Sequence, residues 1–190
     1  MDILGELAKV INRSRKKFRE VMDQFEEDFS QEEFLLKEDS SSHKYRNKLY
    51  KGDNLEAMLD LLRKGYGGKL DLIYIDPPFF TGKNFKNKIE LKSQDQLEII
   101  NTPAYTDTWE NGFLDYLEML TLRFYLMREL LSDMGSLYVH LDYRTVHYVK
   151  ILLDHIFGQE RFLNEIIWSY KSGGTSKNYY SRKHDSILVY

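Results

Sequence analysis

The chain has 190 residues, 42% of them hydrophobic and 14% aromatic, so it can bury one sizeable core, and typical domain sizes argue against two full domains. It contains no cysteine, which excludes disulfides, thiolate nucleophiles and cysteine-based zinc sites, and we expect no metal site. The net charge is −3, with 27 basic and 30 acidic residues, so the whole-chain charge gives no sign of a nucleic-acid binder.

The sequence shows neither a membrane span nor a secretion signal. No apolar run approaches the roughly 20 residues that a membrane span needs, and the N-terminus lacks the short apolar core of a signal peptide. The absence of cysteine also fits a reducing compartment. We therefore expect a cytoplasmic protein that has no membrane partner.

The first elements predicted along the chain are a helix and a linker. Apolar residues spaced three, four and seven apart, from Leu4 to Phe29, indicate an amphipathic helix. Such a helix either docks on the main body or pairs with another subunit. Three serines at residues 40–42 indicate a linker. We therefore divide the chain into a helical arm with its linker, residues 1–40, and a domain over residues 47–190.

Beyond the linker, strand and helix patterns alternate, which predicts an α/β fold with a parallel sheet and helical crossovers. The 70–75 segment is short and apolar enough to be a strand buried on both faces. Residues 81–109 have no clear period and are predicted to form a long loop. The other predicted strands are 48–51, 136–141, 162–170 and 186–190, and the predicted helices are 55–64, 113–131 and 146–157.

Two adjacent prolines follow the 70–75 strand after one residue, Asp76, although the chain holds only three prolines. A proline pair fixes two φ angles and removes two N–H donors, so the carbonyls of Asp76 and Pro77 can point into a crevice. In open α/β sheets that crevice lies at the carboxyl ends of the strands. Asp76, Pro77, Pro78 and Phe79 are therefore candidates for a functional motif, with a rigid strand-to-loop turn and a capping aspartate as the alternative.

Four segments in one order resemble a known family. They are YKGDNLEAMLDLL from Tyr50, DLIYIDPPFFTGKNF from Asp71, YTDTWENGFLDYLEMLTLRFYLMRELLSDMGSLYVHLD from Tyr105 and NEIIWSYKSGGTSKNYYSRKHDSILVY from Asn164. They resemble the beta class of DNA N6-adenine and N4-cytosine methyltransferases, and within it the modification (Mod) subunits of type III restriction systems. The resemblance spans about residues 49–190 and implies a partial Rossmann-like methyltransferase sheet, preceded here by the amphipathic helix.

The resemblance implies methyl transfer from S-adenosylmethionine to an exocyclic base amine, whose lone pair is delocalised into the ring. The Asp76 carboxylate and the Pro77 carbonyl would accept the two amine hydrogens and free that lone pair for attack. Phe79 would stack on a base swung out of double-stranded DNA. An aspartate at the first position is similar to the adenine-modifying members, so we expect N6-adenine. N4-cytosine methylation and a non-catalytic DNA-binding or assembly module are the alternatives.

Three further acidic or imidazole side chains match family positions near this motif. Asp53 resembles the acidic residue near the adenine end of the cofactor, with a helix N-cap as its alternative role. His140 and Asp142 lie at the carboxyl end of the 136–141 strand and so can border the pocket, but we favour structural roles for both. Residues 105, 107 and 109 match a family pattern without an assigned role.

The 172–185 loop resembles the segment that approaches the flipped base and the adjacent DNA. Tyr179 and Tyr180 are expected to stack on bases, while Lys177, Arg182 and Lys183 are expected to contact phosphates. A plain hairpin loop is the alternative. Residues 161–190 hold five basic and two acidic residues, and a second basic run follows the prolines at Lys83, Lys86, Lys88 and Lys92. Basic residues near phosphates would supply sequence-independent affinity for DNA, with a solvated surface as the alternative for each cluster.

The chain departs from the family in two ways. Most members have tyrosine at the position of Phe79 and asparagine at that of Phe80; the first change keeps the stacking face, and the second is expected to alter the loop. No glycine-rich turn of the kind that cradles the methionine part of the cofactor follows a strand, because Gly65, Gly67 and Gly68 precede one and the 173–174 pair lies in the hairpin loop.

In this class the glycine motif and the target-recognition region follow the catalytic motif. We therefore expect an N-terminal portion of a larger enzyme, which alone binds S-adenosylmethionine poorly and transfers methyl groups negligibly. The recognised DNA site stays open, as do two protein partners that the family suggests: a restriction (Res) subunit and a second copy of the chain.

Overall fold

The computed structural model describes residues 2–24, 32–35, 47–93, 96–110, 112–171 and 177–190, and it describes the backbone alone for residues 32–35, 84–93 and 96–106. The helices are α1 (Ile3–Asp23), α2 (Asn54–Arg63), α3 (Phe113–Leu130) and α4 (Val146–Phe157), with a 3-10 turn at Gln159–Arg161. The strands are β1 (Glu32–Leu35), β2 (Lys48–Lys51), β3 (Leu70–Ile75), β4 (Asn84–Ser93), β5 (Gln96–Thr106), β6 (Leu131–Leu141), β7 (Asn164–Ser169) and β8 (His184–Val189).

The central sheet has four strands in the order β3-β6-β8-β7. β3 and β6 are parallel and are joined through α3, as the alternating pattern predicts. β8 is antiparallel to both β6 and β7, so β7 runs parallel to β6 and β8 alone departs from the predicted parallel direction. The reason is the connection between β7 and β8, which holds no described crossover helix and returns the chain as a hairpin.

The hydrophobic core lies between one face of this sheet and the helices. Alternate residues of β6, Leu137, Val139 and Leu141, are fully buried in that core together with side chains of α3 and α4. The prediction that β3 is buried on both faces is wrong, because Leu72 and Tyr74 are 60% and 54% exposed on the opposite face.

The N-terminal helix docks on the main body. The Phe18 ring stacks on Tyr125 of α3 with centroids 5.2 Å apart, and Arg13 Nε donates to Glu118 Oε2 at 3.0 Å. α1 ends at Asp23, whereas the apolar spacing predicts a helix that reaches Phe29. Residues 25–31 and the predicted linker lie outside the described residues. Among the described helices, none is long and apolar enough to cross a membrane.

The long loop predicted over residues 81–109 is wrong for most of that segment. β4 and β5 pair as an antiparallel two-stranded ribbon, with a register that runs from Asn84 opposite Thr106 to Ser93 opposite Gln96. A signal was present in β4, where apolar residues at 85, 89 and 91 alternate with the lysines of the second basic run. Asn87 interrupts the alternation and hides the strand period.

Phe18→Ala is expected to lower the free energy of unfolding by about 2 kcal/mol, because it removes a half-buried ring from its stack on Tyr125. Lys17→Ala, on the exposed side of α1, is the matched control and should change stability by less than about 0.5 kcal/mol. Urea unfolding of the 190-residue chain measures both. Equal effects of the two substitutions would show that α1 is not docked through Phe18.

A second contact of α1 makes stability depend on pH. Arg15 Nη2 lies 2.6 Å from His155 Nε2 of α4, and because a guanidinium only donates, the imidazole must accept and be neutral. Partial burial, and then the charge of Arg15, lower the pKa of His155 below its ordinary value of 6.5. This stabilisation is therefore complete above the unfolded pKa and is lost as pH falls towards the folded pKa.

His155→Gln is expected to flatten that pH dependence, because the amide keeps an acceptor but does not titrate. The difference between the urea midpoints of His155→Gln and the unsubstituted chain should therefore shrink as pH falls from 7.5 to 5.5. His147→Gln, at an exposed position of α4, is the control and should keep the slope of the unsubstituted chain. Parallel slopes for His155→Gln and the unsubstituted chain would rule out this contact as the cause.

Candidate active site

The proline motif lies at the carboxyl edge of the central sheet. β3 ends at Ile75, which pairs in register with Val139 of the parallel strand β6, so Asp76 emerges beside His140. The Asp76 side chain is 58% exposed, and His140 Nδ1 lies 3.7 Å from its Oδ1. That separation exceeds hydrogen-bond distance, so His140 leaves the exposed carboxylate open to accept from a ligand.

A cavity of about 410 Å³ opens next to the motif. Asp76, Pro77 and Pro78 form one side of it, and three apolar residues of α3 form another. The full lining consists of Asn54, Tyr74, Ile75, Asp76, Pro77, Pro78, Met119, Leu120, Arg123 and Met127. An apolar wall with a few polar groups at the rim, in a cavity of this size, is typical of a small-molecule site.

Asp53 is held at the rim of this cavity and does not line it. Its Oδ1 accepts from the Leu55 backbone N–H at 2.9 Å, which confirms the N-cap role that the sequence offers as the alternative. The same oxygen accepts from Arg123 Nη2 at 2.7 Å, and Arg123 Nε donates to Asn54 Oδ1 at 2.6 Å. Contact of Asp53 with a cofactor stays a prediction.

Arg123 is a site residue that the sequence analysis missed. Although it is charged, its side chain is only 15% exposed, because it belongs to α3, a helix that packs on the core. The signal was the charge itself, because a guanidinium inside an apolar helical pattern needs a partner. Here the partners are Asp53 and Asn54, so Arg123 joins the N-terminus of α2 to the cavity wall.

His140 and Asp142, the two side chains at the end of β6, differ in their surroundings. His140 contacts the motif, with its ring edge-on to Phe79 at a centroid distance of 5.4 Å, although the sequence favoured a structural role. Asp142 is 4% exposed and binds the Arg144 backbone N–H and guanidinium. Burial raises the pKa of Asp142, and the bonds from Arg144 oppose that shift. Its surroundings therefore support the structural role.

Asp107, which matches a family pattern, fixes the segment after the prolines. It is fully buried and accepts from the Thr81 backbone N–H at 2.6 Å, from Thr81 Oγ1 at 2.7 Å and from Trp109 Nε1 at 3.1 Å. Its own N–H donates to the Lys83 carbonyl. These bonds close the base of the β4–β5 ribbon next to Phe79 and Phe80.

Phe80 has a left-handed backbone, with φ 56°, and it is the one non-glycine residue with positive φ among those described. This conformation explains why asparagine, the usual residue of the family, suits the position, since asparagine tolerates it better than most side chains. The Phe80 ring packs on Phe113 and Tyr116 with centroids 5.0 and 5.7 Å away. This aromatic contact offsets the backbone strain.

The 177–183 segment leads into β8, whose Asp185 contacts His140 of the site. Tyr179 and Tyr180 are 69% and 99% exposed, and Lys177 is also exposed, while Lys183 is half-buried. The Arg182 guanidinium lies 4.3 Å from the ring centroid of Tyr143 and 5.9 Å from that of Tyr179. The sequence missed Tyr143. Contact of this segment with DNA stays a prediction, and residues 172–176 lie outside the described residues.

Among the residues that the structure describes, no three His, Asp or Glu side chains are placed to hold an ion. Three acidic groups of the site have donors of their own: Arg123 for Asp53, Thr81 and Trp109 for Asp107, and Arg144 for Asp142.

Phe80→Gly is expected to be more stable than Phe80→Ala by about 1 kcal/mol, because glycine adopts the left-handed backbone without strain and both lose the same ring contacts. At Thr108, an exposed position without positive φ, the alanine variant should be more stable than the glycine variant. Urea unfolding of these four variants measures both differences. A Phe80→Ala protein more stable than Phe80→Gly would contradict a strained Phe80.

Comparison with known proteins agrees with this geometry. The family model for DNA methylases matches residues 70–190. The chain is 37% identical over 139 residues to the type II methyltransferase M.EcaI of Enterobacter cloacae, covering 73% of this chain and 27% of that protein.

Two Mod subunits of type III restriction-modification enzymes are similar as well. The chain is 29% identical over 153 residues to that of EcoP15I of Escherichia coli, covering 75% of this chain and 23% of that protein. It is 29% identical over 157 residues to that of EcoPI of Escherichia phage P1, covering 76% and 24%. The chain thus spans about a quarter of the length of these relatives. Because the family match includes β3, the proline motif and all of β6 to β8, the chain belongs to the DNA methylase family.

Proposed function

We propose that this chain is the catalytic portion of a site-specific DNA methyltransferase that transfers a methyl group from S-adenosylmethionine to N6 of adenine, in a restriction-modification system. One observation carries the proposal: Asp76, Pro77 and Pro78 line a cavity at the carboxyl end of β3, with the Asp76 carboxylate free to accept. The names of the relatives, type II methyltransferase and type III Mod subunit, support the DNA substrate and the restriction setting.

Asp76 and Pro77 are proposed to bind the target amine. An exocyclic amine is a weak nucleophile because its lone pair is delocalised, and two acceptors on its two hydrogens draw it towards tetrahedral geometry. The Asp76 carboxylate and the Pro77 carbonyl are such acceptors, and proline fixes the backbone that carries the carbonyl. S-adenosylmethionine, when bound, supplies an electrophilic methyl group. The methylated amine is acidic and loses its proton to Asp76 or to water.

Phe79 is proposed to stack on the extruded base. The target amine is paired inside the duplex, so the base must leave the helix before it can reach Asp76. Phe79 directly follows the prolines, and its ring is held edge-on by His140. A ring in a fixed orientation offers a ready stacking face for the base, which lowers the entropy lost on binding.

We propose that the cavity binds the adenosine part of S-adenosylmethionine. Met119, Leu120 and Met127 offer an apolar wall for an aromatic ring, and Asn54 and Arg123 offer polar groups at the rim. Both described bonds of Asp53 go to Oδ1, and 53% of its side chain is exposed, so Oδ2 is open to a ribose hydroxyl. We propose that these residues hold the adenosine end.

Adenine is favoured over cytosine by the aspartate at the first motif position, a feature of the adenine-modifying members. N4-cytosine methylation remains the alternative, because the same two acceptors serve either amine. For the DNA itself we propose that Tyr179 and Tyr180 stack on bases and that Lys177, Arg182 and Lys183 contact phosphates. We propose a restriction subunit as a partner, because the relatives are named as subunits of restriction-modification enzymes, and a second copy of the chain as another partner, which the family resemblance implies.

Asp76→Ala is expected to lower kcat for methyl transfer by about 10²–10³-fold, because it removes one of two acceptors at the reacting amine. The assay uses the intact protein that contains this chain, labelled S-adenosylmethionine and unmodified genomic DNA. Asp133→Ala is the matched control, since Asp133 is an exposed carboxylate near the opposite end of β6. Full activity of Asp76→Ala would show that the proposed role of this carboxylate is wrong.

Nucleoside analysis of the methylated DNA tests the choice of base. N6-methyladenine is the expected product, and N4-methylcytosine would replace the adenine assignment by the alternative. DNA binding without any methyl transfer by the intact, unsubstituted protein would favour the non-catalytic module instead.

A further inference from the structure

We infer that His140 is a positioning residue for the proposed methyl transfer, held by Asp185 so that it fixes the base side of the site. The inference rests on the proposed function, because it concerns the placement of Asp76 and Phe79. His140 contacts two of the four residues of the motif, Asp76 and Phe79, and is anchored by a residue that lies 45 positions away in the sequence.

The two nitrogens of His140 face different strands. Nδ1 lies 3.1 Å from the Tyr74 hydroxyl of β3, and Nε2 lies 3.3 Å from Asp185 Oδ2 of β8. The other oxygen of Asp185 accepts from the Tyr170 hydroxyl at 3.4 Å. The imidazole, on β6, is therefore tied to both neighbouring strands, and Tyr170 in turn orients the carboxylate that holds it.

These contacts select one tautomer of neutral His140. A carboxylate only accepts, so the ring proton lies on Nε2 and is donated to Asp185. Nδ1 then carries a lone pair, which accepts from the Tyr74 hydroxyl. Asp76 Oδ1, at 3.7 Å from Nδ1, receives no hydrogen bond from this tautomer. The arrangement therefore holds the imidazole beside Asp76 without occupying the acceptor that the target amine needs.

The ring also fixes Phe79. It meets the phenyl ring at a centroid distance of 5.4 Å and an interplanar angle of 62°, which is the edge-to-face geometry that aromatic pairs prefer. The side chains of His140 and Asp185 are only 18% and 17% exposed, so water competes little for their hydrogen bond. One imidazole thus defines where the stacking face and the carboxylate stand relative to each other.

Substitution of His140 in the intact protein tests this role. His140→Ala is expected to lower kcat about 10–100-fold, since small misplacements of reacting groups have effects of this size. The Kd for DNA should stay within about twofold, and the protein should remain folded at the assay temperature although its unfolding midpoint falls below that of His147→Ala, an exposed control on α4. His140→Asn, whose amide can occupy the place of Nδ1 and accept from Tyr74, should recover part of the lost kcat. A kcat within twofold of wild type for His140→Ala, or a loss matched by the fraction of unfolded protein, would overturn the inference.

A double-mutant cycle tests the link to Asp185. Because Asp185 acts through His140, Asp185→Ala is expected to lower kcat to a similar extent, and the double variant should be no worse than His140→Ala. Multiplying losses would refute the link. Asp76→Ala is measured in the same series to separate the two claims. An active Asp76→Ala refutes the proposed role of the motif, whereas an inactive Asp76→Ala with a normal His140→Ala refutes only the inference.

Discussion

The parallel pairing of β3 with β6 is the constraint on which the site depends. It aligns Ile75 with Val139, so the residues that follow each strand emerge at the same edge of the sheet. α3 makes this pairing possible as the crossover, and it buries ten residues while doing so. The same helix supplies Arg123 and the apolar wall of the cavity. The core and the candidate site therefore share one element, and a change that shifts α3 alters both.

The segment after the prolines combines a strained residue with a rigid anchor. Phe80 adopts a left-handed backbone that phenylalanine disfavours, and aromatic packing on α3 keeps it there. Asp107 then binds Thr81 twice and closes the base of the ribbon. Strain of this kind persists only where the surroundings fix the chain, and here they fix the residues next to Phe79.

The carboxylates of the site divide into those with donors and one without a hydrogen bond among the described residues. Asp53, Asp107 and Asp142 each accept from nearby backbone or side-chain N–H groups. Asp76 stands next to His140, whose Nε2 lies at hydrogen-bond distance from Asp185 instead. A carboxylate that stays unpaired at the mouth of a cavity is placed to accept from a ligand, and this difference distinguishes the proposed catalytic group from the structural ones.

The sequence by itself determined the local elements and the motif. The 70–75 strand, the 146–157 helix, the N-cap at Asp53 and the proline pair depend on residues close together in the chain, so local apolar patterns and residue types reveal them. Only the tertiary structure decided that β8 runs antiparallel to β6, that Tyr74 is exposed and that Arg123 and His140 belong to the site. The physical reason is that burial and hydrogen bonding of a side chain depend on partners far away in sequence, which no local pattern specifies.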